Sequence, residues 1–160
     1  MTALKYLATY LNDHLAGSTA GLELAKRAAS ENEGSPLGEF LSELEAEISE
    51  DRETLEELMQ SLGVGTDHKK IAAAWVGEKV GRLKPNAQLR GYSPLSPLVE
   101  LEALSLGIEG KRLLWISMTG IAADHGLAPE RFSDLAARAS DQRSRVERFR
   151  VEVAASALRA

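Results

Sequence analysis

The sequence predicts an all-α protein, a four-helix bundle of two antiparallel hairpins, for three reasons. Apolar residues recur every three or four positions along most of the 160 residues, whereas the alternation typical of strands is almost absent. Two Ser-Pro pairs, beginning at Ser35 and Ser96, are typical helix starts, because serine can cap the first turn and proline needs no amide hydrogen there. The hydrophobic content of 44% is sufficient for a packed core.

The first part of the chain is predicted to form one long hairpin. Its first helix, residues 2–31, carries a stripe of leucines, and a short polar segment ending at Gly34 breaks it. The second helix, residues 36–62, carries a similar stripe and ends at Gly63. Because so few residues separate the two helices, we expect them to fold back antiparallel to each other.

A crossover segment is expected to follow this hairpin. Thr66 or Asp67 can cap a short third helix, which would end near Leu83 and use Trp75 as a core residue. Residues 84–96 are rich in proline and serine and are therefore expected to be non-helical.

The last part of the chain is predicted to form a second long hairpin. The Ser96-Pro97 pair would start the fourth helix, which runs to about Asp124, with Trp115 on its apolar side. Pro129 would open a fifth helix that continues nearly to the C-terminus. Since each hairpin alone would leave an open apolar face, we expect a single domain over residues 1–160.

Composition argues against several classes of protein. The net charge is −5 and the isoelectric point is near 5.3, so bulk positive charge for nucleic-acid binding is absent. The chain has no cysteine, which removes disulfides, thiolate catalysis and cysteine-bound metal centres. Without a long apolar run or a signal-peptide pattern, the sequence predicts a soluble cytoplasmic protein that binds neither membranes nor nucleic acid.

The layout of two long helix pairs joined by a crossover resembles the ferritin-like superfamily. Metal-binding members of that superfamily hold two metal ions with glutamates and with Glu-x-x-His motifs, because residues three apart share a helix face. Here the residues three before His14, His68 and His125 are leucine, glycine and alanine. The resemblance therefore concerns architecture alone, and we expect no di-metal centre and no cofactor.

His14 and Asp51 form the candidate polar layer of the first hairpin. Each continues an apolar stripe, His14 three residues after Leu11 and Asp51 three residues after Ile48. The hairpin geometry places them at one height, so we expect a buried His–Asp pair. A structural layer that fixes the register of the two helices and an unusual ligand or general-base site are both open interpretations.

Two further groups of residues are candidate sites. Four glycines lie within predicted helices, where glycine lowers stability: Gly17, Gly21, Gly107 and Gly110. We expect them either to allow a close contact between the first and fourth helices or to line a ligand cavity between them. A modest basic cluster beside Tyr92 is a candidate anion patch, or an ordinary surface, and consists of Lys79, Arg82, Lys84 and Arg90. No phosphate-binding glycine motif accompanies it.

The function predicted from these features is binding without catalysis, since no nucleophile has an evident base beside it. Six apolar residues lie off the main stripes: Leu24, Phe40, Leu106, Leu113, Leu114 and Ile121. One bundle core is not expected to bury all of them, so we expect a homodimer that covers the remainder. Two alternatives stay open. One is a divergent metal-binding protein or oxidase that uses His14 and Asp51. The other is a small-molecule binder with a pocket between the first and fourth helices.

Overall fold

A computed structural model describes residues 2–73 and 91–159, with the backbone alone at residues 2 and 3. Within these ranges the chain is helical and contains no strand, which confirms the all-α class. The helices are α1 (Thr2–Glu31), α2 (Pro36–Ser61), α3 (described over residues 68–73), α4 (Ser96–Ile121) and α5 (Pro129–Ala157). None of the described helices combines the length and the apolar composition needed to cross a membrane.

The chain divides into two compact units, Met1–Pro85 and Asn86–Ala160. In the first unit α1 packs against α2, and in the second unit α4 packs against α5. Both predicted hairpins are therefore present. Their assembly into one ferritin-like bundle, and the single domain over residues 1–160, stay predictions.

The turn of the first hairpin is built as its sequence predicts. Ser35 adopts an extended backbone conformation, and its side chain accepts a hydrogen bond from the Gly38 amide at 3.1 Å. Gly34 has a φ of +78°, a left-handed conformation that side chains other than glycine rarely adopt. A Cβ atom at Gly38 would collide with the backbone carbonyl of Asn32, so this turn requires a residue without a side chain.

Part of each predicted leucine stripe forms the core of the first hairpin, whereas Leu4, at the start of the stripe in α1, is 50% exposed. Burial of the core side chains from both helices supplies the main driving force for pairing, as apolar surface leaves water. The buried leucines are Leu11 and Leu15 from α1 and Leu41, Leu44, Leu55 and Leu58 from α2.

The start of α4 differs from the prediction. Ser96 is the first helical residue rather than its cap, and its hydroxyl accepts a hydrogen bond from the Ser93 amide at 3.0 Å. Leu95 occupies the cap position, where no side chain makes a capping bond within the described residues. The Ser-Pro pair therefore predicted the correct start of α4, but its serine is not the capping residue.

The turn of the second hairpin lies between α4 and α5. The predicted fourth helix ends at Ile121 and is followed by a single 3₁₀ turn at Ala123–His125. Gly126 then adopts a φ of +68° and reverses the chain. Below this turn the rings of Trp115 and Phe132 stack with centroids 6.1 Å apart, and both are buried, so Trp115 is a core residue.

Candidate functional site

His14 and Asp51 lie on facing helices of the first hairpin. The imidazole of His14 is half-buried and meets the ring of Tyr10 edge-on, with centroids 4.6 Å apart. Burial lowers the pKa of His14, and the negative charge of Asp13 partly opposes that shift. Asp51 is buried, with 4% of its surface exposed. A direct His14–Asp51 pair stays a prediction.

Asn12 is a buried polar residue of α1 that the sequence analysis missed. Its side-chain amide donates hydrogen bonds to the carbonyl oxygens of Ala8 and Gly65, both at 2.9 Å. Its side-chain oxygen accepts a hydrogen bond from the Asp67 amide at 2.6 Å. Asn12 thus binds the segment after α2 to α1 through both faces of its amide group.

Two neighbouring contacts strengthen this attachment. The carboxylate of Asp67 accepts hydrogen bonds from the amides of Lys69 and Lys70, so Asp67 caps α3 as predicted. The ammonium group of Lys70 then pairs with Asp13 at 2.7 Å. These contacts fix where α3 begins relative to α1, and they form a structural connection rather than a reactive group.

Each of the four helix glycines has free space around it within its own hairpin. A Cβ atom built at Gly17, Gly21, Gly107 or Gly110 would have no described atom within 4 Å. Neither hairpin by itself therefore explains these glycines. The predicted close contact, or cavity, between the first and fourth helices stays a prediction.

The candidate anion patch lies outside the described residues; it consists of Lys79, Arg82, Lys84 and Arg90. Trp75 and the predicted end of the third helix at Leu83 also lie outside them. Tyr92, which was expected beside the patch, is described. Its hydroxyl donates a hydrogen bond to Glu100 at 2.6 Å, and Glu100 is buried. Tyr92 therefore anchors the segment before α4 to the first turns of that helix.

A groove of about 410 Å³ lies on the second hairpin and is lined by Arg112, Ser140, Arg143, Ser144 and Glu147. Glu109 accepts hydrogen bonds from Arg112 at 2.7 and 2.9 Å and also lies 3.5 Å from Arg143. The Arg112 guanidinium lowers the pKa of Glu109. The charged side chains of the groove are thus ion-paired: Arg112 and Arg143 share the carboxylate of Glu109, and Glu147 pairs with Arg150.

Metal-ligating side chains do not converge in the described parts of the chain. No group of three or more histidine, aspartate or glutamate residues there could hold a metal ion. The metal-binding alternative therefore has no supporting geometry among these residues.

One face of α4 is exposed and almost free of charge; we call it the α4 face. It consists of the exposed residues Val99, Glu102, Ala103, Leu106, Gly107, Leu113, Ile116, Ser117 and Gly120, with the half-buried Glu109 and Gly110 between them. Leu106 is 75% exposed and Leu113 is 49% exposed. All residues of α4 are described, and Glu102 is the one charged residue among those that are exposed.

The surface of α5 is of the opposite kind. Its exposed residues include eight that are charged: Glu130, Arg131, Asp134, Asp141, Arg143, Glu147, Arg148 and Glu152. A charged helix surface is stable in water, whereas an apolar one as long as the α4 face usually marks an interaction site. Of the other apolar residues expected to need cover, Phe40 and Leu114 are buried, and Leu24 and Ile121 are half-buried.

Comparison with known proteins adds no relative: no protein-family model, no curated protein and no solved structure matches the chain.

Proposed function

We propose that the protein is a non-catalytic helical protein that acts through binding and that works as a homodimer formed by the α4 face. The observation that carries this proposal is the exposure of Leu106 and Leu113, two turns apart, on a face whose only charged residues are Glu102 and Glu109. Removing such side chains from water favours association, and the gain is reduced by the motional freedom that the two partners lose.

The size of the α4 face sets the expected strength of the dimer. A stable interface of standard size contributes roughly 20–30 residues from each partner. The α4 face is smaller, so we expect micromolar rather than nanomolar affinity. A reversible dimer of this strength would respond to the concentration of the protein.

As an alternative to the homodimer, we propose that the two hairpins associate as a ferritin-like bundle within one domain. The support is the similar length of the four long helices, which contain 30, 26, 26 and 29 residues. Helices of equal length can bury one continuous core along the whole bundle.

Sedimentation of the full chain over a range of concentrations tests the homodimer. We expect the wild type to be largely dimeric at tens of micromolar. The double variant Leu106→Glu, Leu113→Glu should raise the dissociation constant at least about tenfold, because it places charge in an apolar contact. The matched control is Val151→Glu, which changes an exposed apolar residue of α5 that is 53% exposed.

The fold of each variant is checked by circular dichroism. A wild-type chain that is monomeric at all of these concentrations would contradict the proposal. Equal weakening by Val151→Glu would also contradict it, because the effect would then come from added charge rather than from the α4 face.

A further inference from the structure

The segment after α2 is attached to α1 by a small cluster of polar contacts, which we call the Asn12 clasp. It consists of Asn12 and Asp13 from α1 and of Gly65, Asp67 and Lys70 from the segment. Asn12 bonds to Gly65 and Asp67 at 2.9 and 2.6 Å. Asp13 pairs with Lys70 at 2.7 Å. Two consecutive residues of α1 thus hold three positions of the segment.

The end of α2 is fixed without the clasp. Gly63 has a φ of +67°, and its amide donates a hydrogen bond to the Gln60 carbonyl at 3.1 Å. The next amide, of Val64, donates to the Met59 carbonyl at 2.8 Å. These two bonds form a Schellman motif, which closes a helix end with backbone groups of the helix itself. Because Val64 is also buried, the chain is held as far as this residue independently of Asn12.

The start of α3, in contrast, depends on the clasp. The carboxylate of Asp67 caps α3 by accepting hydrogen bonds from the amides of Lys69 and Lys70. The backbone amide of the same Asp67 is bound by Asn12. A first helical turn is unfavourable to form alone, because several residues become ordered for one hydrogen bond. The contacts that attach the segment to α1 therefore also order the first turn of α3.

Apolar burial adds little to this attachment. None of residues 65–71, all of which are described, belongs to the buried core, and Ile71 is half-buried. Four of these residues are exposed: Gly65, Thr66, His68 and Lys69. Segments with few buried apolar contacts and exposed backbone hydrogen bonds open at a lower free energy than the core of a protein.

We propose that the Asn12 clasp opens as one unit: residues 65–71 detach from α1 and lose the first turn of α3, while α1 and α2 stay paired. This proposal does not rest on the homodimer. In the closed state the chain that continues towards α4 is held to α1 at Lys70, and in the open state it is held at Val64. Opening adds residues 65–70 to the connection between the hairpins, which is roughly 20 Å at full extension. The clasp therefore controls the reach of that connection.

Within the clasp, Asn12 is expected to matter more than the ion pair. The side chains of Lys70 and Asp13 are 37% and 60% exposed. An exposed ion pair is weakened by water and by salt, and it contributes little to stability. Asn12 is buried, so the backbone groups that it binds would lose a partner that water replaces poorly.

Hydrogen exchange of the full chain, followed by NMR at a series of low urea concentrations, tests the proposal. The reporters are the amides of residues 67 and 69–71, and the references are the amides of Leu44 and Leu55 in the core of α2. After correction for intrinsic rates, we expect the reporters to exchange at least about tenfold faster than the references in the wild type. Their rates should also depend weakly on urea, because a small opening exposes little surface.

Three variants test the part played by each contact. Asn12→Ala should bring all four reporters to within about threefold of the rate of an unfolded chain, while the references stay protected. Asp13→Asn removes only the ion pair and should change the reporter rates by less than about threefold. The matched control is Thr9→Ala, an exposed residue of α1 outside the clasp, which should leave the reporter rates unchanged.

Three results would overturn the proposal. Wild-type reporters with the rates and urea dependence of Leu44 and Leu55 would show that the segment opens only with the whole hairpin. This measurement needs no variant, so it decides the matter even if Asn12→Ala does not fold. An effect of Asn12→Ala no larger than that of Thr9→Ala would show that other contacts hold the segment. Loss of protection at Asp67 alone would show separate openings instead of one unit.

Discussion

At the scale of single residues, Asn12 shows how a side chain gains its role from a distant segment. It follows Leu11 in α1 and is 6% exposed, and its amide binds backbone groups more than fifty residues away in sequence. Nothing in the spacing around Asn12 indicates these partners. They become visible when the segment after α2 is placed against α1.

Replacing Asn12 by alanine should lower the free energy of unfolding by roughly 1–3 kcal/mol, because the Asp67 amide and the Gly65 carbonyl would lose a buried partner. Urea unfolding measures the change. The matched control is Thr9→Ala, because the exposed hydroxyl of Thr9 donates a hydrogen bond to the Lys5 carbonyl of its own helix, and we expect a change within about 0.5 kcal/mol there. Equal losses in the two variants would refute the role assigned to Asn12.

His14 should make stability depend on pH in a defined direction. Burial lowers its pKa below the ordinary value of 6.5, so the unfolded chain binds a proton more readily than the folded chain. The free energy of unfolding should therefore fall as the pH drops below about 6.5 and through the lowered pKa.

Urea unfolding of the wild type and of His14→Gln between pH 7.5 and 5.5 tests this dependence. The variant should lose the part of the slope that His14 causes. His125→Gln serves as the control because His125 is exposed. A steeper loss of stability in His14→Gln than in the wild type would contradict the interpretation. It would favour an imidazolium held by an acidic neighbour such as Asp51.

At the scale of helices, glycines that resemble each other in sequence have different environments. Gly38 lies in the first turn of α2 against the backbone of Asn32, whereas Gly17 lies in α1 with no described atom near the position of a Cβ. Gly17 is conspicuous in the sequence because it lies in the middle of a helix, whereas the need for glycine at position 38 comes from the backbone of Asn32 before the turn.

Gly38→Ala should destabilise the protein by roughly 1–3 kcal/mol, since a methyl group there has to displace backbone. Gly17→Ala should instead stabilise it by up to about 1 kcal/mol, because alanine favours a helix and the position is open. Thermal or urea unfolding of the two variants compares them directly. A clear loss of stability in Gly17→Ala would indicate that another helix packs closely at this position, as the sequence predicts for the fourth helix.

At the scale of the whole molecule, the absence of the Glu-x-x-His motif leads to a prediction about metal content. The purified protein should contain no stoichiometric iron or manganese, because the sequence contains no Glu-x-x-His motif of the kind that holds a di-metal centre in a helical bundle. Elemental analysis of protein purified without chelator measures this. About two metal ions per chain, lost in His14→Ala but kept in His68→Ala, would restore the ligand-site interpretation of His14 and Asp51.

The sequence by itself determined the helices, because helix boundaries depend on chemistry within a few residues. The predicted range 2–31 matches α1, and Ser35, Asp67 and Pro129 each begin or cap a helix where expected. Leucine stripes also identified the buried sides of α1 and α2, since a helix turns a fixed angle for each residue.

Only the tertiary structure decided which apolar residues remain exposed to solvent and which polar residues become buried. Leu106 and Leu114 both lie off the main stripe, yet one is 75% exposed and the other 1% exposed. Asn12 is buried with partners more than fifty residues away, which periodicity cannot reveal. Burial depends on what another segment places against a helix face, and that placement is set by contacts between residues far apart in the chain.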